Sequence, residues 1–383
     1  MNRIESINTE RIRWCANERG ISLEQLADEA GVPRKALASL FEEGLGLTFP
    51  QLRKLADHFG RGVLFFLDPG PVDEQQIHSV QYRTLTNQKP QLSPNLRKLI
   101  ERVERQRELY LALREELHPD DYAPFAPVDV AGRRPAEAAA AVRQWLGLDH
   151  VNTFDGFRSA VEVKGILVFR SNGYAGRWQI AKDSPILGFS LYGDICPVIV
   201  VKKTRAETQQ SFTLMHELGH LLLHRASSID DDADMSSQHG NERDANSFAG
   251  HLLVPNAWLA EIRDDERPAA VEQYELWLAP YRQRWGVSAE VILRRLLDSG
   301  RLPQARYAAY KTFVRGRQVE DDEGGGSRMY RHREPKHIFG DMFVRTVLNA
   351  LASRKITATK ACSYLDGLRL ADLHSLEQYL AGV

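Results

Sequence analysis

The sequence predicts a multidomain chain with an all-α N-terminal helix-turn-helix, an α+β core and a mostly helical C-terminal region. Three observations lead there. Residues 9–67 place apolar side chains at helical spacing, interrupted by glycines and free of strand-like runs. Residues 136–260 mix helical periods with three short runs rich in Val, Ile and Phe. Beyond about residue 275 the pattern is helical again. The resulting division is 1–75, a helical arm and Pro-containing linker at 76–134, a core at 135–300, and a basic helical region at 301–383.

In the first segment Ser22 is placed to N-cap the helix LEQLADEA. Gly31-Val32 then forms a tight turn into a second helix opened by Pro33, whose missing N–H is no loss in a first turn. Small Ala27 allows close crossing, and Val32, Leu37 and Leu40 pin the second helix onto the first, which makes a helix-turn-helix. After the Asp-Pro-Gly-Pro break at 68–71, a long helix runs over about 93–117, opened by Ser93 and Pro94. Residues 81–114 hold eight Lys or Arg against three Glu, and prolines at 119, 124, 127 and 135 mark the linker.

The core begins with helices at 136–147 and around 153–163. GILVFR, ILGFSLYG and PVIVVKK then read as strands, and the last is expected at a sheet edge to which an extended substrate adds. A helix with Phe212, Met215, Leu218 and Leu222 on its period follows. The acidic stretch SSIDDDADMSSQHGN reads as a loop before another helix, ERDANSFAGHLLV, stopped by Pro255. Near the end, a glycine run at 324–326 precedes 327–360, which carries eight Lys or Arg against two acids.

Composition narrows the function. Fifty basic against 51 acidic residues give a net charge of −1, so nucleic acid or membrane must be met by a local patch. No apolar run of about 18 residues exists, and the polar N-terminus lacks the apolar core of a signal peptide, which points to the cytoplasm. Cys15, Cys196 and Cys362 are too far apart for a paired framework or a thiolate zinc site.

His216-Glu217-Leu218-Gly219-His220 fits H-E-x-x-H. Residues four apart share one helix face, so His216 and His220 are expected to hold one Zn²⁺ while Glu217 serves as catalytic base. Candidates for a third ligand are His224, Asp230, Asp231, Asp232, Asp234, His239, Glu242 and Asp244. His224 lies a further turn along the axis, about 6 Å at 1.5 Å per residue, and is expected at the core edge or in solvent. A metzincin motif would need Gly at 223 and His at 226, where the chain has Leu223 and Ala226. A helix starting near Glu242 can pack across the first and lower a carboxylate onto the metal, because Ala245 and Ala249 permit close approach, so Glu242 is the expected metal ligand. Gly219 would thin the metal helix at the same crossing. His239, Tyr192 and His251 are candidates for stabilising an oxyanion.

HELGHLLLH followed by ERDANSFAGHLLVP resembles the ImmA/IrrE family of zinc metallo-endopeptidases. His216, Glu217, His220, Glu242, Ala245, Asn246, Phe248 and Ala249 carry the likeness, over roughly 135–260. It implies a zincin-like core, two His and one Glu as zinc ligands, and a bacterial or phage-type protease whose substrate is typically a DNA-binding repressor. It also fits an Xre-like helix-turn-helix ahead of the peptidase. That domain usually carries Trp-Glu after its second helix, where this chain has Leu40-Phe41-Glu42 and Phe41 is expected to fill the core slot.

Arg34, Lys35 and Ser39 stand where a second helix would reach DNA bases. Yet residues 1–60 hold eight basic and nine acidic residues, which favours docking of the protein substrate, itself a helix-turn-helix repressor, over gripping phosphates. The alternative is a DNA-binding transcriptional regulator whose zinc domain is a sensor or is non-catalytic.

Overall fold

The computed structural model describes residues 3–59, 61–72, 84–85, 88–89, 92–117, 124–149, 151–172, 176–237, 239–316 and 328–381. They form two compact units, Met1–Thr86 with Pro90–Lys98, and Asn87–Lys89 with Leu99–Val383. The glycine run at 324–326 lies outside the described residues.

The first unit contains β1 (Arg3–Ile4), α1 (Thr9–Glu18), α2 (Leu23–Ala30), α3 (Arg34–Glu42), β2 (Leu47–Thr48) and α4 (Phe49–Phe59). Ser22 caps α2 in a reciprocal box with Gln25. Gly31 takes a left-handed φ of 63° that ends α2, and Pro33 stands at the N-cap of α3. Ile12, Leu26, Ala27, Val32, Leu37, Leu40 and Leu52 close the core. Phe41 is half-buried against it beneath the Arg13 guanidinium. One feature was not legible: the short β1–β2 pair, antiparallel with Ile4 opposite Leu47.

The second unit continues α5 (Pro94–Glu116) from Leu99 and adds α6 (Pro135–Leu146) and α7 (Phe154–Glu162). Next come β3 (Leu167–Arg170), β4 (Ile186–Leu191), β5 (Val198–Val201), α8 (Glu207–Gly219), β6 (Ser228–Asp231) and α9 (Gly240–Leu253). After two single-turn helices, Asn256–Leu259 and Tyr274–Trp277, come α10 (Ala279–Trp285), α11 (Ala289–Asp298), α12 (Gln304–Gly316), α13 (Glu334–Ala352), α14 (Ala358–Tyr364) and α15 (Leu370–Ala381). The sheet order is β3-β5-β4-β6, with β3 and β5 parallel and the other pairs antiparallel. Two expectations are corrected here. Val198–Val201 is bonded on both sides, by β3 and β4, so PVIVVKK offers no edge to a peptide. The acidic stretch read as a loop supplies the edge strand β6.

Alternation along the strands gives the sheet two buried faces. Val168, Ile199 and Val201 point into a core shared with Val142, Leu214, Leu218 and Leu252 of α6, α8 and α9. Phe169 points to the opposite face, where its ring meets Trp178, Phe339 and Phe343 at centroid distances of 5.9, 5.6 and 5.9 Å. The basic C-terminal segment is therefore the cover of one sheet face. Ile338, Phe343, Val344 and Val347 are fully buried while Arg354, Lys355 and Lys360 are exposed. Deleting 327–383 would strip apolar cover together with charge, so any role of that charge has to be tested by point substitutions.

A buried ion pair fixes this cover. Helix α13 breaks at Gly340, with φ 78° and ψ 176°. Arg158 of α7 donates to the carbonyls of His337 (2.8 Å) and Ile338 (2.9 Å) before the break. Glu162 accepts the N–H groups of Asp341 (3.1 Å) and Met342 (3.2 Å) after it, and Arg158 Nε lies 3.2 Å from Glu162 Oε1. The cation caps the carbonyl end of one half-helix and the anion caps the amide end of the next.

Candidate functional site

Helix α8 opens at Glu207 and buries His216, Glu217 and His220 against the sheet. It passes into a π-helical turn, His220–His224, of the kind that often marks functional positions. Helix α9 crosses it closely. A Cβ on Gly219 would stand 3.1 Å from Phe248 and 3.3 Å from the Cα of Ala245, so glycine on one helix and alanine on the other set the approach.

The crossing brings Glu242 to the two histidines. His216 Nε2 and His220 Nε2 are 3.0 Å apart, and each is 3.3 Å from Glu242 Oε2. Asp230 of β6 joins them, its Oδ2 at 3.7 Å from each imidazole nitrogen. His216, His220, Asp230 and Glu242 thus turn four donor atoms into one space, all within 4.8 Å of one another. Asp234 and His239, which the sequence left open as ligands, are elsewhere: Asp234 receives Lys89 and the Asp231 N–H, and His239 is exposed at the N-cap of α9.

The surrounding contacts orient the imidazoles. Asn246 Oδ1 sits 2.9 Å from His216 Nδ1, and the Asn246 amide donates to the Asp234 carbonyl. That fixes Asn246 as acceptor, puts the His216 proton on Nδ1 and turns the Nε2 lone pair toward the centre. His224, expected at the core edge or in solvent, stands with its Nδ1 3.1 Å from His220 Nδ1 and orients that ring in the same way.

Glu217 is fully buried, and neither of its carboxylate oxygens has a hydrogen-bond partner. Space for it comes from β4, where a Cβ on Gly188 would lie 2.9 Å from Glu217 Oε1 and 2.7 Å from Thr213. Burial and then the Asp230 charge push the Glu217 carboxyl well above its usual range, and the Ser190 hydroxyl works against them. Burial opposes charge on His216, but Asp230 and Glu242 outweigh it and lift the imidazole to about 9. Burial would likewise raise Glu242, yet the two imidazoles hold it far below the carboxylate range.

Two carboxylates and two imidazoles closing on one point call for a cation. The orphaned oxygens of Asp230 and Glu242 and the facing nitrogens are the donor set that suits a divalent metal such as zinc. Beside the centre, a cavity of about 400 Å³ is lined by Leu187, Phe212, Met235, Val291 and Tyr307, with Asn246 common to both. The oxyanion candidates do not join the cluster: Tyr192 OH donates to Asp194, His251 Nδ1 faces the Ser247 carbonyl of its own helix, and His239 is exposed.

In the first unit, Arg34 and Lys35 are exposed and Ser39 is half-buried on α3. Arg34 is engaged in a two-pronged contact with Asp28 of α2, Nε to Oδ1 being 2.8 Å. Such an exposed pair is screened by solvent and adds little to stability. For a docking module, Arg34→Ala with Lys35→Ala is expected to leave duplex affinity within about twofold at about 0.1 M salt. Loss of one base contact would instead cost about 1–3 kcal/mol. A gel-shift salt titration decides, and a drop of that size with a flatter salt slope makes α3 a DNA reader.

Residues 162–297 match the Peptidase M78 family model, described as the IrrE N-terminal-like domain. Residues 12–66 match the helix-turn-helix family model. No curated protein matches the chain. Among the described residues, no helix is long and apolar enough to cross a membrane.

Proposed function

We propose that this chain, a helix-turn-helix domain joined to an IrrE-type peptidase domain, is a cytoplasmic zinc endopeptidase. Its target is a specific protein, a DNA-binding repressor, in bacterial or phage-type regulation. The observation that supports this best is the convergence of His216, His220 and Glu242 on one point, with the buried, unpartnered Glu217 carboxylate beside it. His216, His220 and Glu242 would hold the zinc. When bound, zinc supplies a Lewis acid that polarises a carbonyl and acidifies a water. Glu217 takes the proton of the attacking water and passes it to the leaving amine, a task suited by a carboxyl displaced upward from its usual range. The cavity beside the centre receives an apolar side chain next to the scissile bond. Buried Cys196 and Cys362, neither of them in a disulfide, fit a reducing compartment.

The helix-turn-helix domain docks the repressor, whose own helix-turn-helix offers a matching surface. A second reading, a DNA-binding regulator with a non-catalytic metal domain, draws on the helix-turn-helix match.

His216→Ala and His220→Ala are expected to remove stoichiometric zinc, and Glu242→Ala to weaken it at least about tenfold, while Asp234→Ala and His239→Ala leave it unchanged. Metal analysis of the purified variants, with cleavage of a repressor encoded beside the gene followed by mass spectrometry, tests both halves. Full zinc in the two His variants would end the metallopeptidase reading. Zinc-loaded wild-type protein that leaves such repressors intact would favour the regulator.

A further inference from the structure

We propose that Asp230 is a fourth donor of this metal centre, one that closes the coordination of the resting protein and has to withdraw before hydrolysis. The inference rests on the peptidase reading for the metal itself. A tetrahedral zinc with bonds of about 2.0–2.1 Å separates its donors by about 3.3–3.4 Å. The His216–His220 pair at 3.0 Å and the two Glu242 distances of 3.3 Å lie close to those edges, and the two Asp230 distances of 3.7 Å lie slightly outside them. Asp230 therefore caps the same pair of nitrogens as Glu242.

Its carboxylate is 1% exposed. Oδ1 accepts the Ser228 hydroxyl at 3.1 Å, but Oδ2, which faces the imidazoles, has no hydrogen-bond partner. An anionic oxygen buried in that state is costly unless a cation answers it. Hydrolytic zinc sites keep one position open, whereas sites with four protein donors are closed. Two His and Glu242 leave a position open, and Asp230 stands where it would be filled.

What holds Asp230 there is the clamping of β6 from both sides. On the inner side, Asp230 pairs with Gly188 of β4 next to a register shift, a local irregularity that re-aims side chains. On the outer side, the Gln88 carboxamide donates to the Ser227 carbonyl at 2.9 Å and accepts the Ile229 N–H at 3.2 Å. These are two bonds that a residue of an added strand would make. Lys89 then binds Asp231 at 2.6 Å and Asp234 at 2.7 Å, just past Asp230. Residues 88–89 thus occupy the edge at which an extended peptide would pair. A peptide entering there displaces Gln88 and frees the strand that carries Asp230, so substrate docking opens the centre.

The test uses the full chain loaded with Co²⁺, whose visible spectrum shifts when a carboxylate donor is exchanged for a water. Asp230→Ala and the isosteric Asp230→Asn are expected to shift that spectrum and to raise the zinc dissociation constant at least about tenfold in a chelator competition. The metal-free melting temperature should hold or rise, because a buried charge is gone. Gln88→Ala with Lys89→Ala should move the spectrum in the same direction at full metal content, a change that mere loosening of the fold would not produce. Repressor cleavage should increase in Asp230→Ala. An unchanged spectrum and affinity in both Asp230 variants overturns the fourth donor, and reduced cleavage by a folded, metal-loaded Asp230→Ala overturns the need to withdraw. Failure of the wild-type chain to bind Co²⁺ or Zn²⁺ would instead remove the peptidase reading.

Discussion

Glu217→Gln is expected to retain a full equivalent of zinc, to melt no lower than the wild-type protein, and to lose hydrolysis by at least about a hundredfold. The three parts have one cause. Glutamine matches the shape that Gly188 and Thr213 leave for the side chain, so packing is conserved. It carries no charge, which removes both the desolvation of a fully buried carboxylate and its repulsion with Asp230. What it cannot do is accept a proton, and a positioned base contributes about 10²–10⁴ in rate. Because stability moves up or stays while turnover collapses, unfolding cannot account for the loss. Metal analysis, a thermal melt and repressor cleavage on one preparation read all three. Substantial cleavage by the variant removes Glu217 as base, and loss of zinc makes it a ligand.

The parts of this centre differ in how far the sequence discloses them. His216 and His220 are four apart on a helix, so their meeting is a local property of the backbone. Glu242 is distant in the chain, but the small residues Ala245 and Ala249 beside it announce a close helix crossing. Asp230 had no such marker. Its strand signal, Ser228-x-Asp230 on one face, spans only two positions and sits in a run of acids that reads as a loop. Gly188 and Ser190 are hidden in the same way inside an apolar strand. The placing of Val198–Val201 at an edge failed for a readable reason: an unbroken apolar run is the mark of an interior strand covered on both faces. In 327–360 the charge count masked Ile338, Phe339, Phe343, Val344 and Val347, whose spacing is that of a helix lying on a core.

The capped break in α13 predicts the largest loss of stability. In Gly340→Ala, the new Cβ would fall 1.7 Å from Glu162 Oε1 and 2.9 Å from Arg158 Nε, on a backbone whose φ is already 78°. Neither obstacle can swing aside, since Arg158 and Glu162 are buried and hold the carbonyls and amides on either side of the break. Separating such a pair leaves charges without partners, at about 3–5 kcal/mol. Gly367→Ala is the reference for a positive-φ site without a steric conflict, because Gly367 has φ 68° with nothing within 4 Å of its Cβ position. That control should cost about 1–2 kcal/mol. At about 2–4 °C per kcal/mol for a large unit, Gly340→Ala should melt about 10 °C or more below the wild-type protein, and Gly367→Ala only a few degrees below. Freed from the sheet, α13 would uncover Phe169 and Trp178, so the Gly340→Ala protein should also bind an apolar dye near its transition. Equal melting of the two alanine variants would mean that the Arg158–Glu162 pair yields to the added methyl, and that the C-terminal cover is held by its apolar contacts alone.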